Sequence, residues 1–280
     1  MRKRSIGKGI AIAVRDTILW VEDTGESNLP PMLCLHSLFL DGTMFDGFVE
    51  RAQGQFRLIR PDFRGQGSSA PATGDIVTMD DCADDMLALI ETLNLPPVHL
   101  VAASMGGDVA VRMVAERPEL FRSLMMMGSS ARGEPADQME RFRGLLKEAA
   151  LTGFVGDYLD ILMSIMFGAT TRAKPEAQPM LDRWRTRMSL LPHSAWPAMF
   201  GVLERPSAVA LLPKITVPTL LFSGTDDIAR PPDWGQEVAD GVKDARFTIL
   251  DGVGHSPILE VPEIVIPQVL AFLAGAARAG

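Results

Sequence analysis

Cysteine is almost missing from this 280-residue chain: Cys34 and Cys82 are its only two, with no C-x-x-C spacing. That excludes a disulfide framework and a thiolate zinc site, and Cys34, inside an apolar strand-like run, reads as core. Long apolar runs are missing too. No stretch approaches the roughly 20 residues that span a bilayer, so no membrane partner is expected. An excess of positive charge is also lacking, since 27 Lys and Arg against 35 Asp and Glu leave a net charge of -8 and a pI near 5.1. Nucleic acid and anionic membrane both need basic patches, so neither is an expected partner, and a small neutral or amphiphilic ligand fits better. The opening MRKRSIGKGIAIAV has the basic-then-apolar order of a signal peptide. Arg15 and Asp16 cut its apolar run short and no small-residue cleavage pattern follows, so it reads as a first strand of a cytoplasmic protein.

What the chain does have is apolar content, 47% of its residues, enough for the deep core of one large α/β domain. Short apolar runs read as strands: GIAIAV and TILWVED as a hairpin, then MLCLH, FRLIRPD, VHLVAA, RSLMMMG, PTLLFSG and ARFTILD. Several are continuously hydrophobic, as expected of strands covered on both faces. Between them, residues 80–93, 105–116, 233–240 and 262–274 carry helical periodicity, with acids opening the first and prolines punctuating the others. The expected fold is therefore α/β, a doubly wound, mostly parallel eight-stranded sheet.

The alternation breaks between residues 132 and 212, where helical periodicity, Met and Arg dominate. This stretch reads as a helical cap inserted into a core formed by 1–131 and 213–280. Phe154, Tyr158, Ile161, Leu162 and Ile165 fall on one helical face, and Trp184, Met188, Trp196, Met199 and Phe200 add bulk. Taken singly each reads as core; together they suggest a lid with an apolar underside, because Met and aromatic side chains adapt to small organic ligands. The candidate substrate contacts are His36, Tyr158, Leu162, Met166, Trp184, Met188 and Trp196.

HLVAASMGGDVAVRMVAERP, residues 99–118, runs from a strand through Ser104 into a helix. A serine at that junction can sit on a sharp strained turn with its hydroxyl above the sheet, or be merely a small polar turn residue. The usual motif is G-x-S-x-G; Ala102 replaces its first glycine, and A-x-S-x-G alone occurs often by chance. A serine nucleophile also needs a base, and the base an orienting carboxylate. His255 sits in the Gly-flanked loop DGVGHSP after the last strand, whereas His99 lies inside a strand and His193 inside the insertion. Of the adjacent Asp226 and Asp227 after PTLLFSG, Asp227 is placed to turn back toward the histidine. The order Ser, Asp, His is that of the α/β-hydrolase arrangement. An oxyanion would be met by the backbone amides of Met105, after the serine, and Leu38, in the loop after the third strand. His36 also reads as a brace of that loop, and RPDFRGQGSSAP, residues 60–71, as scaffold rather than a nucleotide fingerprint.

Over nearly all of residues 10–275 the chain resembles the α/β-hydrolase superfamily, in LCLHSLFLDGTMF, RPDFRGQGSS, LVAASMGG, LLFSGTDDIARPP and LDGVGHSPILEVPE. Within it, Ser37-Leu38 and GTDDIARPPDWGQEVADGV are most similar to the 3-oxoadipate enol-lactonase and small bacterial esterase branch. The resemblance implies Ser104 as nucleophile, Asp227 as acid, His255 as base, Leu38 and Met105 as oxyanion amides, and no cofactor or metal. The implied activity is hydrolysis of a small, largely apolar ester or lactone through an acyl-enzyme. The same fold and triad also serve carbon-carbon hydrolases, lyases and perhydrolases, and a non-catalytic ligand receptor is the remaining alternative. Haloalkane dehalogenation and epoxide opening are disfavoured, because those relatives carry an aspartate where this chain has Ser104. A homodimer remains compatible with the sequence.

Overall fold

The computed structural model describes residues 8–279; the basic opening stretch, residues 1–7, and Gly280 lie outside the described residues. Eight strands form one sheet: β1 (Lys8–Val14), β2 (Thr17–Asp23), β3 (Pro31–Leu35), β4 (Arg57–Pro61), β5 (Val98–Ala103), β6 (Phe121–Met127), β7 (Thr219–Gly224) and β8 (Ala245–Leu250). Their spatial order is β1-β2-β4-β3-β5-β6-β7-β8. The β1–β2 hairpin turns at Arg15 and Asp16, and β2 pairs antiparallel with β4; every later pairing is parallel. The doubly wound eight-stranded sheet expected from the alternation is thus the observed architecture.

The helices are α1 (Asp46–Ala52), α2 (Met79–Thr92), α3 (Met105–Glu116), α4 (Ala136–Thr152), α5 (Asp157–Met166), α6 (Ala169–Arg172), α7 (Gln178–Ser189), α8 (Trp196–Leu203), α9 (Pro232–Gly241), α10 (Pro257–Glu260) and α11 (Pro262–Ala279). Local chemistry sets several of their starts. At α2, the Thr78 hydroxyl accepts from the Asp81 amide at 3.0 Å while the Asp81 carboxylate accepts from the Thr78 amide at 3.1 Å, a reciprocal cap. Proline opens α9, α10 and α11, where a missing N–H costs nothing. Helices α4 to α8 all fall between β6 and β7, in the stretch where strand patterning stops.

β3, β5 and β7 are buried at every position, which is why their sequences run apolar without alternation. From β3 the chain moves outward to β4, then crosses back to place β5 on the other side of β3. At such a reversal the connections leave in opposite directions, and a crevice opens at the carboxyl ends of the two strands. The loops after β3 and β5 flank it.

His99, one position into β5, belongs to the scaffold. Its Nδ1 lies 2.8 Å from Ser123 Oγ on β6 and its ring meets Phe56 edge-on. Burial, with a smaller contribution from Arg122, pushes its pKa down from 6.5 to about 4. The unfolded chain binds this proton as pH drops below 6.5, the folded one only near 4, so stability is whole above 6.5 and declines between those values. Between pH 7 and 5 this histidine alone should cost about 2 kcal/mol. Denaturant unfolding at both pH values should show a loss smaller by that amount in His99→Asn.

Candidate active site

β5 ends at Ala103, and Ser104 follows in a conformation of φ 49°, ψ -114°, a region that L-residues rarely enter. The turn is held from both sides. The Ser104 amide donates to the Met127 carbonyl at 2.9 Å, continuing the ladder to β6, while its carbonyl accepts the Gly107 amide at 2.8 Å to start α3. Gly106 is required because a Cβ there would run into the Leu35 carbonyl of β3. Ala102, by contrast, stands inside the β5 ladder opposite Leu35 and Met126, where a methyl group is accommodated. The glycine that the usual motif places there is therefore dispensable in this chain.

The turn lifts the Ser104 hydroxyl to 2.6 Å from His255 Nε2. His255 Nδ1 in turn lies 2.9 and 3.0 Å from the two carboxylate oxygens of Asp227. A carboxylate can only accept, so the ring proton sits on Nδ1 and Nε2 is left to accept from serine. Asp227 Oδ1 is also capped by the Ala229 and Arg230 amides at 2.9 and 2.8 Å, which fixes the carboxylate beside the ring. Its neighbour Asp226 points elsewhere and accepts from the Thr170 amide at 2.8 Å. All three relay side chains are buried, so water does not compete for these bonds.

Leu38, in the loop after β3, lines the same cavity as Ser104, and Met105 follows the serine as the first residue of α3. Among the described residues no acceptor takes either N–H. Met105 opens α3, whose N-terminus favours negative charge. The Leu38 loop is braced by His36: the Phe63 amide donates to Nε2 at 3.0 Å, which leaves the Nδ1 proton for the Ser37 carbonyl at 2.8 Å. His36 is fully buried by this role and does not reach the cavity.

Over the serine lies an inner cavity of about 100 Å³, and an outer one of about 350 Å³ shares Phe142, Ile161, Ile165 and Ala229 in its wall. Leu162 and Met166, expected to touch substrate, do line the inner cavity, as do Phe154 and Met199. Four other expected contacts do not. Tyr158 opens α5 on its solvent side, hydrogen-bonded to Glu148. Trp184 and Met188 are buried where α7 packs on α5, with Arg183 and Arg187 stacked on the indole. Trp196 stands one layer back, stacked on Phe154 at 5.5 Å. Helical spacing picked out Tyr158 and sheer bulk Trp184, Met188 and Trp196, but which side chains turned to the cavity was set by packing.

Several wall residues gave weaker signals. Phe142, Leu145 and Leu146 follow the i, i+3, i+4 spacing of α4 and were legible as an apolar stripe. Glu134 and Arg230 carried no such signal. They belong to a buried charge cluster: Arg205 Nε lies 3.1 Å from Asp108, and Arg205 and Arg230 both donate to Glu134 Oε1, at 2.9 and 2.7 Å. Burial opposes ionisation of Glu134, yet Arg230 and Arg205 together outweigh it and hold its carboxyl below the usual range.

Glu260, five residues past His255, was also missed. Its carboxylate accepts the Gly254 and Ser256 amides, at 2.9 and 3.0 Å, on either side of the histidine, and the Gly168 amide at 3.0 Å from the junction of α5 and α6. Gly168 and Gly254 pass so closely that a Cβ on either would strike the other's backbone. Among the described residues no three His, Cys, Asp or Glu side chains cluster as metal ligands would, and no helix is long and apolar enough to cross a membrane.

A family model described as alpha/beta hydrolase fold matches residues 30–262. The chain is similar to the putative non-heme bromoperoxidase BpoC of Mycobacterium tuberculosis (strain ATCC 25618 / H37Rv), 29% identical over 223 residues, 78% of this chain and 83% of that protein. It is similar in structure to a thermophilic esterase from Thermogutta terrifontis, with TM-score 0.86 and 27% identity over 96% of this chain and 99% of that one. The enol-lactonase from Burkholderia xenovorans LB400 shares the fold, with TM-score 0.85 and 24% identity over 95% of this chain and 100% of that one.

Glu260→Ala would free three peptide N–H groups at once. Amide hydrogen exchange at Gly168, Gly254 and Ser256 should then quicken by about an order of magnitude or more, with exchange in β5 unchanged.

Proposed function

The chain belongs to the alpha/beta hydrolase fold family and is an enzyme of the hydrolase class, and on that premise we propose that it cleaves a carboxylic ester or lactone through an acyl-serine intermediate. The observation that carries this reading is the relay in which Ser104 Oγ stands 2.6 Å from His255 Nε2 while Asp227 holds the opposite ring nitrogen. An alcohol is a poor nucleophile until a base removes its proton, and here the base is already within bonding distance.

In this mechanism Ser104 Oγ attacks the substrate carbonyl as His255 Nε2 takes its proton. The imidazolium that forms is stabilised by Asp227, which stays ionised. Negative charge gathers on the former carbonyl oxygen, where the Leu38 and Met105 amides await it; being fixed beforehand, they need no reorganisation at the moment of reaction. His255 then returns its proton to the departing alkoxide oxygen. Water, deprotonated by the same nitrogen, attacks the acyl-serine, and collapse of the second tetrahedral intermediate releases the acid and restores the hydroxyl.

The inner cavity bounds the substrate. Its volume of about 100 Å³ and its mostly apolar lining favour a short chain or small ring beside the serine. Likeness to a bromoperoxidase-named protein favours a second reading, perhydrolysis, in which hydrogen peroxide instead of water takes the acyl group from Ser104 and leaves as the peracid.

Short activated esters such as p-nitrophenyl acetate should be hydrolysed, and Ser104→Ala should lower kcat/KM by roughly a thousandfold or more. Ser104 should be labelled by a fluorophosphonate in the wild type. Asp227→Asn should also be severely impaired, whereas Asp226→Asn should stay within a few-fold of wild type; the reverse order would refute the assignment of the acid. Adding hydrogen peroxide and measuring peracid separates the two readings.

A further inference from the structure

Among the described residues four other than glycine have a positive φ: Arg15, Phe39, Asn94 and Ser104. Arg15 and Asn94 lie in exposed turns, and asparagine tolerates the left-handed region. Ser104 carries the nucleophile. Phe39, at φ 69°, is the remaining case, and a bulky side chain there is a conformational outlier. It is the third residue of the turn Ser37-Leu38-Phe39-Leu40, which the Leu40 amide closes on the Ser37 carbonyl at 3.2 Å. A turn with positive φ at its third position is one that glycine fills without steric cost. The strain is held from outside the turn: the Ser37 amide donates to Met44 Sδ at 3.4 Å, the Phe63 amide pins His36, and the Gly42 amide donates to Asp62 at 2.8 Å.

What glycine would lack is the ring. Phe39 is half-buried between the buried Leu38 and Leu40, and with Phe154 it lines the inner cavity. The two rings meet edge to face, with centroids 5.6 Å apart and planes at 78°, and Phe154 in turn stacks on Trp196 at 5.5 Å. The stacked indole stops Phe154 from backing away. A row of three rings thus runs from the Leu38 loop into the helical stretch, and its first member is one residue beyond the Leu38 amide. Of the groups on a reacting ester carbonyl, the oxygen goes to the Leu38 and Met105 amides and the alcohol to His255 Nε2, which must protonate it. The acyl group is the one left to lie along the loop that continues from Leu38.

We propose that Phe39 is the specificity-determining residue for the acyl group: its ring, backed by Phe154 and Trp196, closes the chamber beside the oxyanion and admits only short acyl chains. This rests on the serine-hydrolase reading and narrows its substrate class to esters and lactones that are short on the acyl side. The strained backbone is the means, because the same turn with glycine at position 39 would keep its path and leave that side of the chamber open. In a chamber of about 100 Å³, deleting a benzyl group from the wall enlarges the space substantially. The ring is also fixed before substrate arrives, so a long chain cannot push it aside without breaking its contact with Phe154.

The test compares p-nitrophenyl acetate, butanoate and octanoate, which vary the acyl chain, with ethyl, butyl and octyl acetate, which vary the alcohol. Phe39→Gly should raise the octanoate-to-acetate ratio of kcat/KM in the first series by about tenfold or more over wild type, and shift the second series much less. An unchanged first ratio, or an equal shift in both series, would overturn the proposal and leave the serine mechanism standing. If the wild type does not turn over p-nitrophenyl acetate above the Ser104→Ala background, the mechanism itself fails and takes the proposal with it. Thermal unfolding reads the strain: Phe39→Gly should melt above Phe39→Ala, the reverse of the usual order for these two residues. Alanine melting higher would remove the reason for a phenylalanine here and count against the proposal. A crystal structure of the wild type inhibited by ethyl butylphosphonofluoridate needs no variant to fold. It should show the phosphoryl oxygen at the Leu38 and Met105 amides and the butyl group against the Phe39 ring; a butyl group lodged elsewhere overturns the assignment.

Discussion

One strained residue organises this molecule. Ser104 occupies a backbone conformation that costs free energy, and it persists because the surroundings over-determine it: a ladder bond to Met127 on one side, the first turn of α3 on the other, and Gly106 pressed against the Leu35 carbonyl beneath. Relax that turn and the hydroxyl drops back toward the sheet, away from His255. The order of the strands follows the same logic. β3 and β5 must be neighbours for the Leu38 loop to stand beside the serine, and β6, β7 and β8 must follow on one side for the Asp227 and His255 loops to reach it.

The helical stretch between β6 and β7 is joined to this centre by polar contacts at several places, with apolar surface between them. Arg183 binds Asp46 at 3.0 Å and Arg187 binds Asp41 on one flank, while Glu260 and Asp226 take the Gly168 and Thr170 amides on another. Arg205, just beyond α8, reaches under the chamber to Asp108 and Glu134. Buried charges are expensive to desolvate and add little net stability over an apolar replacement, but a wrongly docked helix would leave them unpaired. Their effect is to make one placement of the helices far better than its neighbours. Leu162, Ile165 and Met166 on α5 consequently face the serine, and the loop that joins α5 to α6 rests on the loop that carries His255.

The sheet was readable residue by residue because its strands are short, apolar and punctuated by turn-forming loops. That Ser104, Asp227 and His255 come within hydrogen-bonding distance was readable for a related reason: each lies in a loop at a strand end, where side chains converge on one edge of the sheet. Tyr158, Trp184, Met188 and Trp196 were misplaced because an apolar spacing or a bulky side chain says that a residue packs but not against what. α7 spends its stripe on α5, and Trp196 spends its ring on Phe154. Glu134, Arg230 and Glu260 carried no periodic signal at all. Charged residues are usually solvated, and only their partners, 71, 96 and up to 92 positions away, reveal that these three are not.

By itself the sequence determined the fold class, the strand-end positions of a serine, an aspartate and a histidine, and the stretch where helices replace strands. Those features are local: periodicity, turn chemistry and residue type act over a few positions along the chain. The tertiary structure decided which helical faces enclose the chamber and which buried charges stand beside it. These are distances between residues far apart in the chain, and only the packed sheet and helices set them.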